Sequence, residues 1–191
     1  MTMPRIAHLT VLLAALAGAP AWAAPYQFDP AHTFPLFEID HLGFSTQRGQ
    51  FDRSRGTLEY DAVQRTGSLE VVVDAGSIDT GDDERDAILK GPDWFDVARY
   101  PTLTFRGERF VFDQGQPVAI EGELTMLGVT QPLRLEITRF KCGLNLAAKK
   151  RACGADATAT LKRSAFGMRT GLPFVGDEVT LRIQAEAYLQ D

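Results

Sequence analysis

Near its C-terminus the chain alternates with a period of two. Val179, Leu181, Ile183, Ala185, Ala187 and Leu189 fall on one face, and Thr180, Arg182, Gln184, Glu186 and Tyr188 on the other. Successive side chains of a strand point to opposite faces, so this is a strand with one covered side. The same period returns at Val118, Ile120, Gly122, Leu124 and Met126, at Leu133, Leu135 and Ile137, and at Leu69, Val71 and Val73. Between residues 103 and 112 the apolar phase slips near Gly107, which predicts a bulge. Turn-forming clusters separate the runs: Thr66-Gly67, Asp113-Gln114-Gly115-Gln116-Pro117 and Leu127-Gly128-Val129-Thr130-Gln131-Pro132. Strands joined by short turns predict antiparallel pairing, and about eight of them suffice for a sandwich or a closed barrel. One segment departs from the pattern. Thr80-Gly81-Asp82-Asp83 reads as a helix start with Thr80 as N-cap, and Gly91-Pro92 as its end. The expectation is an all-β fold interrupted by one short helix over residues 82–90.

The first two dozen residues follow other rules. Arg5 precedes an apolar run over residues 9–17, and Ala21-Trp22-Ala23 has the small-x-small form of a cleavage site. The run is too short for a membrane span, which needs about 20 apolar residues, and Pro20 interrupts it. Residues 1–23 therefore read as a cleaved signal peptide, and residues 24–191 as one exported domain destined for the periplasm. Hydrophobic residues make up 45% of the chain and charged ones 24%, which excludes disorder, collagen and coiled coil. The net charge of −5 argues against a nucleic-acid partner.

Little in the sequence speaks for catalysis or for a bound metal. Cys142 and Cys153 flank a polar, basic stretch, and in an oxidising compartment they are expected to form a structural disulfide; their spacing is not that of a C-x-x-C redox pair. His32 and His41 lack the spacing of a metal site, so no metal and no cofactor is expected. No serine stands in a Gly-x-Ser-x-Gly elbow. Asp82, Asp83, Glu84 and Asp86 suit the first turns of a helix, and Arg85-Asp86 reads as an anchor between helix and barrel.

Several blocks together carry a resemblance: Phe28-Asp29-Pro30-Ala31-His32-Thr33, Phe37-Glu38-Ile39-Asp40-His41-Leu42-Gly43, Gly49-Gln50-Phe51-Asp52 and Ile78-Asp79-Thr80-Gly81 in the first half, then Phe95-Asp96-Val97-Ala98-Arg99-Tyr100-Pro101-Thr102-Leu103-Thr104-Phe105, residues 122–132 and Arg163-Ser164-Ala165-Phe166-Gly167-Met168. In this order, across nearly the whole of residues 24–191, the chain resembles the YceI-like family of exported, lipocalin-like proteins. The resemblance implies an eight-stranded antiparallel lipocalin-like barrel with a short helix near one end. It also implies an apolar ligand with an isoprenoid tail, such as a prenyl pyrophosphate or a quinone, and no enzymatic activity. An enzyme acting on a lipid or quinone held in the barrel, or a ligand-free structural or stress protein, is the alternative. Transient membrane contact and a homodimer are partners the sequence leaves open.

Two polar residues fall on apolar stripes. His41 shares the parity of Phe37 and Ile39, and Arg163 that of Ala157, Ala159 and Leu161. A buried guanidinium must be paired, either with a ligand head group or with an acid or backbone carbonyls of its own chain. With His41 and Arg163, the candidate ligand-binding residues are Phe37, Phe44, Trp94, Phe95, Phe105, Gly122 and Phe166, and Phe51 is a further wall candidate. Period two is the same for a filled and a hollow barrel, so core packing explains these residues equally well.

Overall fold

The structure, a computed structural model, describes residues 24–190. The signal-peptide reading and its cleavage point lie outside the described residues. In chain order the elements are β1 (Ala24–Phe28), β2 (Phe34–His41), β3 (Ser45–Phe51), β4 (Ser54–Asp61), β5 (Thr66–Asp74), β6 (Ile78–Asp79), α1 (Asp83–Leu89), β7 (Thr102–Asp113), β8 (Gln116–Met126), β9 (Val129–Asn145), β10 (Lys150–Lys162) and β11 (Val175–Leu189). Hydrogen-bonded neighbours run β1-β4-β5-β7-β8-β9-β10-β11, and β11 pairs back onto β1. The ring is a closed, eight-stranded antiparallel barrel, as the resemblance implied. Closure leaves the ring without an open edge. One edge of β11 is shared: residues 187–189 pair with β1 and residues 175–184 with β2. From there β2, β3 and β6 extend the wall at the end where α1 sits.

Hairpin turns match the twist of the strands. Gln114 and Gly115, and Leu127 and Gly128, all have positive φ. That is the type I′ conformation, whose twist suits tight antiparallel hairpins. The expected bulge is present: Gly107 pairs with Gly122 and Arg109 with Glu121, leaving Glu108 as the extra residue. A second bulge was not foreseen. Phe112 pairs with Pro117 and Val111 with Ala119, so Val118 is the extra residue there. The buried phase therefore switches within β8, and Ala119 is fully buried where Val118 had been expected to be.

The helix also differs from expectation in its cap. Asp82, not Thr80, is the N-cap, and its carboxylate accepts from the Arg85 N–H. Thr80 is instead bound to the middle of the helix. Its N–H and hydroxyl both donate to Asp86 Oδ1, at 2.9 and 2.6 Å. Buried Asp86 thus ties α1 to the end of β6, and Arg85 adds bonds to the Thr80 hydroxyl and carbonyl. The Arg85-Asp86 pair is an anchor.

Candidate functional site

The barrel is hollow. A cavity of about 380 Å³ lies inside it, walled by inward-facing side chains of its strands. On β11 the wall residues are Val175 and then Val179, Leu181, Ile183 and Ala185, the last four belonging to the stripe that the alternation marked out. On β10 the wall runs from Cys153 to Leu161, a stretch of strand that spans roughly 26 Å, or about 20 Å along the axis of a barrel whose strands tilt by about 40°. Leu181, Ile183, Ile137 and Val71 are only half-buried although they point inward, because they face the void.

The two ends of this void differ in chemistry. At the α1 end, Phe37, Phe51 and Phe95 pack together, with ring centroids 6.0 Å apart for Phe37 and Phe51 and 5.5 Å for Phe51 and Phe95. Trp94 and Phe95 both line the cavity. Around them stand the polar lining groups His41, Gln47, Arg48, Thr80 and Arg85. The Arg85 guanidinium donates to Gln47 Oε1 at 3.0 Å, which joins α1 to β3 across this rim. Arg48 and Ile88 line the cavity and are also solvent-exposed, so the cavity reaches the surface here. Glu38, gripped by Arg48 and Arg182, is held below the usual carboxylate range, chiefly by the Arg48 hydrogen bond.

Arg163 lies on the same end but is already engaged. It is only 2% exposed. Its Nε donates to the Gly176 carbonyl, Nη1 to those of Met168 and Thr170, and Nη2 to that of Val175. The Trp94 ring covers its charge, with 5.3 Å from the guanidinium carbon to the ring centroid. Burial pushes its pKa down, and Asp177 pulls it partly back. Asp177 in turn accepts from the N–H and hydroxyl of Ser164 and is held low mainly by those bonds. Arg163 therefore shapes the segment over residues 168–176 from behind.

The far end is closed. Tyr60 stands among Phe110, Phe112 and Phe140, with ring centroids 6.1, 6.4 and 5.1 Å away. Burial raises the Tyr60 pKa. Beside this plug, Cys142 and Cys153 face each other across β9 and β10 and are bonded to each other. Cys153 is buried and forms part of the cavity wall.

Of the candidates drawn from the sequence, Phe37, His41, Trp94, Phe95, Phe105 and Arg163 line the cavity, as does Phe51. Three others stand elsewhere. Phe44 points into solvent and is 89% exposed. Phe166 is buried in the apolar core outside the cavity wall. Gly122 has inward parity, but a Cβ there would run into the backbone carbonyl of Arg106. It marks a close approach of β8 to β7 at the bulge, a place for a residue without a side chain. Sequence reasoning missed Gln47, Thr80 and Ile88, and treated Arg85 only as an anchor. Counting back in twos from Phe51 would have reached Gln47.

Comparisons with known proteins agree with this architecture. A YceI-like domain matches residues 26–187. Protein YceI of Escherichia coli O6:H1 (strain CFT073) is 35% identical over 173 residues, covering 89% of this chain and 90% of that protein. A UPF0312 protein of Pseudomonas aeruginosa (strain LESB58) is 32% identical over 193 residues and covers both chains in full. Among solved structures, the Campylobacter jejuni YCEI protein is 26% identical with a TM-score of 0.68, covering 80% of this chain and 91% of that one. Burkholderia cenocepacia BcnA shares the fold at 23% identity and a TM-score of 0.70, over 83% of this chain and 98% of its own. A polyisoprenoid binding domain from Saccharophagus degradans shares it at 17% identity and a TM-score of 0.63, over 86% and 98%. With the domain match spanning the barrel and relatives above 30% identity along its length, the chain belongs to the YceI-like family.

Proposed function

We propose that the protein is an exported carrier or sequestering protein that holds an isoprenoid lipid, with the tail in the barrel and the head group at the α1 end. The observation that carries this reading is the cavity itself: long, apolar along its wall, and rimmed at one end only by His41, Gln47, Arg48, Thr80 and Arg85. Each CH₂ moved from water to such a wall contributes roughly 0.8 kcal/mol, so a tail of several isoprene units supplies the affinity. Head-group hydrogen bonds at about 1 kcal/mol each then set selectivity. A guanidinium suits a phosphate, and Arg85 has donors left after its three bonds. The polyisoprenoid binding domain that shares the fold supports the choice of tail. The Cys142–Cys153 disulfide and the signal-like pattern of residues 1–23 support export to an oxidising periplasm.

Trp94 supplies the test. It is the one tryptophan of residues 24–191 and it lines the cavity. Titration with a polyprenyl phosphate, and with a quinone of equal tail length, should change its fluorescence saturably. A flat response to both, with the cavity free of co-purified lipid, contradicts the reading.

A further inference from the structure

Beyond the plugged end, the β9–β10 hairpin has a charge unlike the rest of the molecule. Residues 139–151 contain Arg139, Lys141, Lys149, Lys150 and Arg151 and no acid, so the formal −5 of the chain divides into +5 here and −10 everywhere else. Arg139 is paired with Asp156, and the other four make no ion pair among the described residues. The neighbouring turns add Asp61 and Asp113 against Arg65, so this end stays positive. At the opposite end, residues 82–99 carry Asp82, Asp83, Glu84, Asp86, Asp93 and Asp96 against Arg85, Lys90 and Arg99, so the α1 segment is net negative.

The hairpin also exposes hydrocarbon. A bulge at Thr138 shifts the inward parity of β9 from Leu133, Leu135 and Ile137 to Phe140 and Cys142; the new phase runs on to Leu144, which overshoots the barrel and is 62% exposed. Leu146, in the turn, is 79% exposed. The tip is nevertheless well fixed. Asn145 Oδ1 accepts from the N–H groups of Ala147 and Ala148, and its Nδ2 donates to the Tyr188 hydroxyl at 3.0 Å. The disulfide closes the base.

We propose that this hairpin docks the protein on an anionic lipid bilayer, with Leu144 and Leu146 entering the interface and Lys141, Lys149, Lys150 and Arg151 meeting the phosphates. Charge complementarity selects the partner. With a Debye length of about 8 Å at physiological salt, the hairpin's own charges govern what it meets, and the acids of the far end are screened. Two exposed leucines on a convex tip ringed by cations fit a continuous anionic surface better than a groove in an acidic protein. Docked in this way, the barrel stands on its plugged end and the mouth points away from the bilayer. The contact does not rest on the ligand reading.

Co-sedimentation of the purified protein with vesicles tests it. Binding is expected to vesicles of equal parts phosphatidylglycerol and phosphatidylcholine, to weaken with salt, and to be at least tenfold weaker on phosphatidylcholine alone. Replacing Lys149, Lys150 and Arg151 by Gln should cost about fivefold per charge, roughly a hundredfold in all. Leu144→Ser with Leu146→Ser should weaken binding while keeping its salt dependence. Phe44→Ser, at the other end, should leave binding unchanged. The thermal midpoint of each variant reports that it is folded. Absence of binding to the anionic vesicles at low salt overturns the proposal, as does binding that survives the charge substitutions or falls with Phe44→Ser.

Discussion

The two ends of the barrel use aromatic residues to opposite effect. At the far end Tyr60, Phe110, Phe112 and Phe140 pack on one another. At the α1 end Phe37, Phe51, Trp94 and Phe95 also pack, but around a void, with polar groups between them and solvent. Aromatic content alone therefore does not separate plug from wall. What differs is the neighbourhood. The plug residues come from β4, β7 and β9 of the closed ring, whereas the wall residues come from β2, β3 and the segment after α1, which lie outside that ring. One end is packed with rings and the other opens to solvent.

Removing the plug should have the largest effect. Tyr60→Ala deletes a buried ring with three aromatic neighbours, and such truncations cost about 3–5 kcal/mol. Chemical denaturation should show that loss, whereas Phe37→Ala at the wall should cost markedly less because its ring already borders a void. Equal losses would erase the distinction between the ends.

Next comes filling the void from its plugged side, where Ala155 pairs with Phe140. Ala155 lines the cavity opposite Ala185 on the neighbouring strand. Ala155→Trp should displace several methylenes of tail and weaken any isoprenoid ligand by roughly a hundredfold, with little change in thermal midpoint. Gly122→Trp cannot serve this purpose, since even a Cβ there meets backbone. A smaller effect separates head from tail. Arg85→Gln should weaken a prenyl phosphate about tenfold relative to a quinone of equal tail length, the loss of one charge-assisted contact. An unchanged ratio places the head group elsewhere.

The smallest effect is one of pH. Asp177 is held below its ordinary range by Ser164, so its folded-state pKa lies beneath the unfolded one. Its stabilising contribution is then complete above the unfolded value, near pH 4, and is lost as pH falls through the depressed one. Asp177→Asn should flatten the dependence of the thermal midpoint on pH below about 4 and leave it unchanged at neutral pH.

How much of this was legible in the sequence depends on what each feature asks of side chains. The β11 stripe and the bulge at Gly107 could be read directly, because burial imposes period two and a bulge breaks it. The bulge at Val118 could not, since Val118 and Ala119 are both apolar and either phase looks acceptable. Closure of β11 on β1 involves backbone pairing and leaves no mark in composition; only the resemblance implied it. Arg163 was recognisable as a buried cation in need of partners, but backbone carbonyls have no sequence signature, so its partners were not. Gln47 was overlooked because it shares its parity with Ser45 and Gly49 and so looks like surface until the cavity opens beside it, and Thr80 had been read as a helix cap. Hollowness itself was invisible: the same alternation describes a packed barrel.

The central claim is that the void holds an isoprenoid tail. Native mass spectrometry of the protein, purified gently from a host that makes prenyl lipids, tests it most directly. The expected spectrum shows a bound adduct that organic extraction removes, whose fragments differ by whole isoprene units. Apoprotein alone that also fails to take up added polyprenyl lipid, or an adduct consisting only of fatty acids or phospholipids, would contradict it.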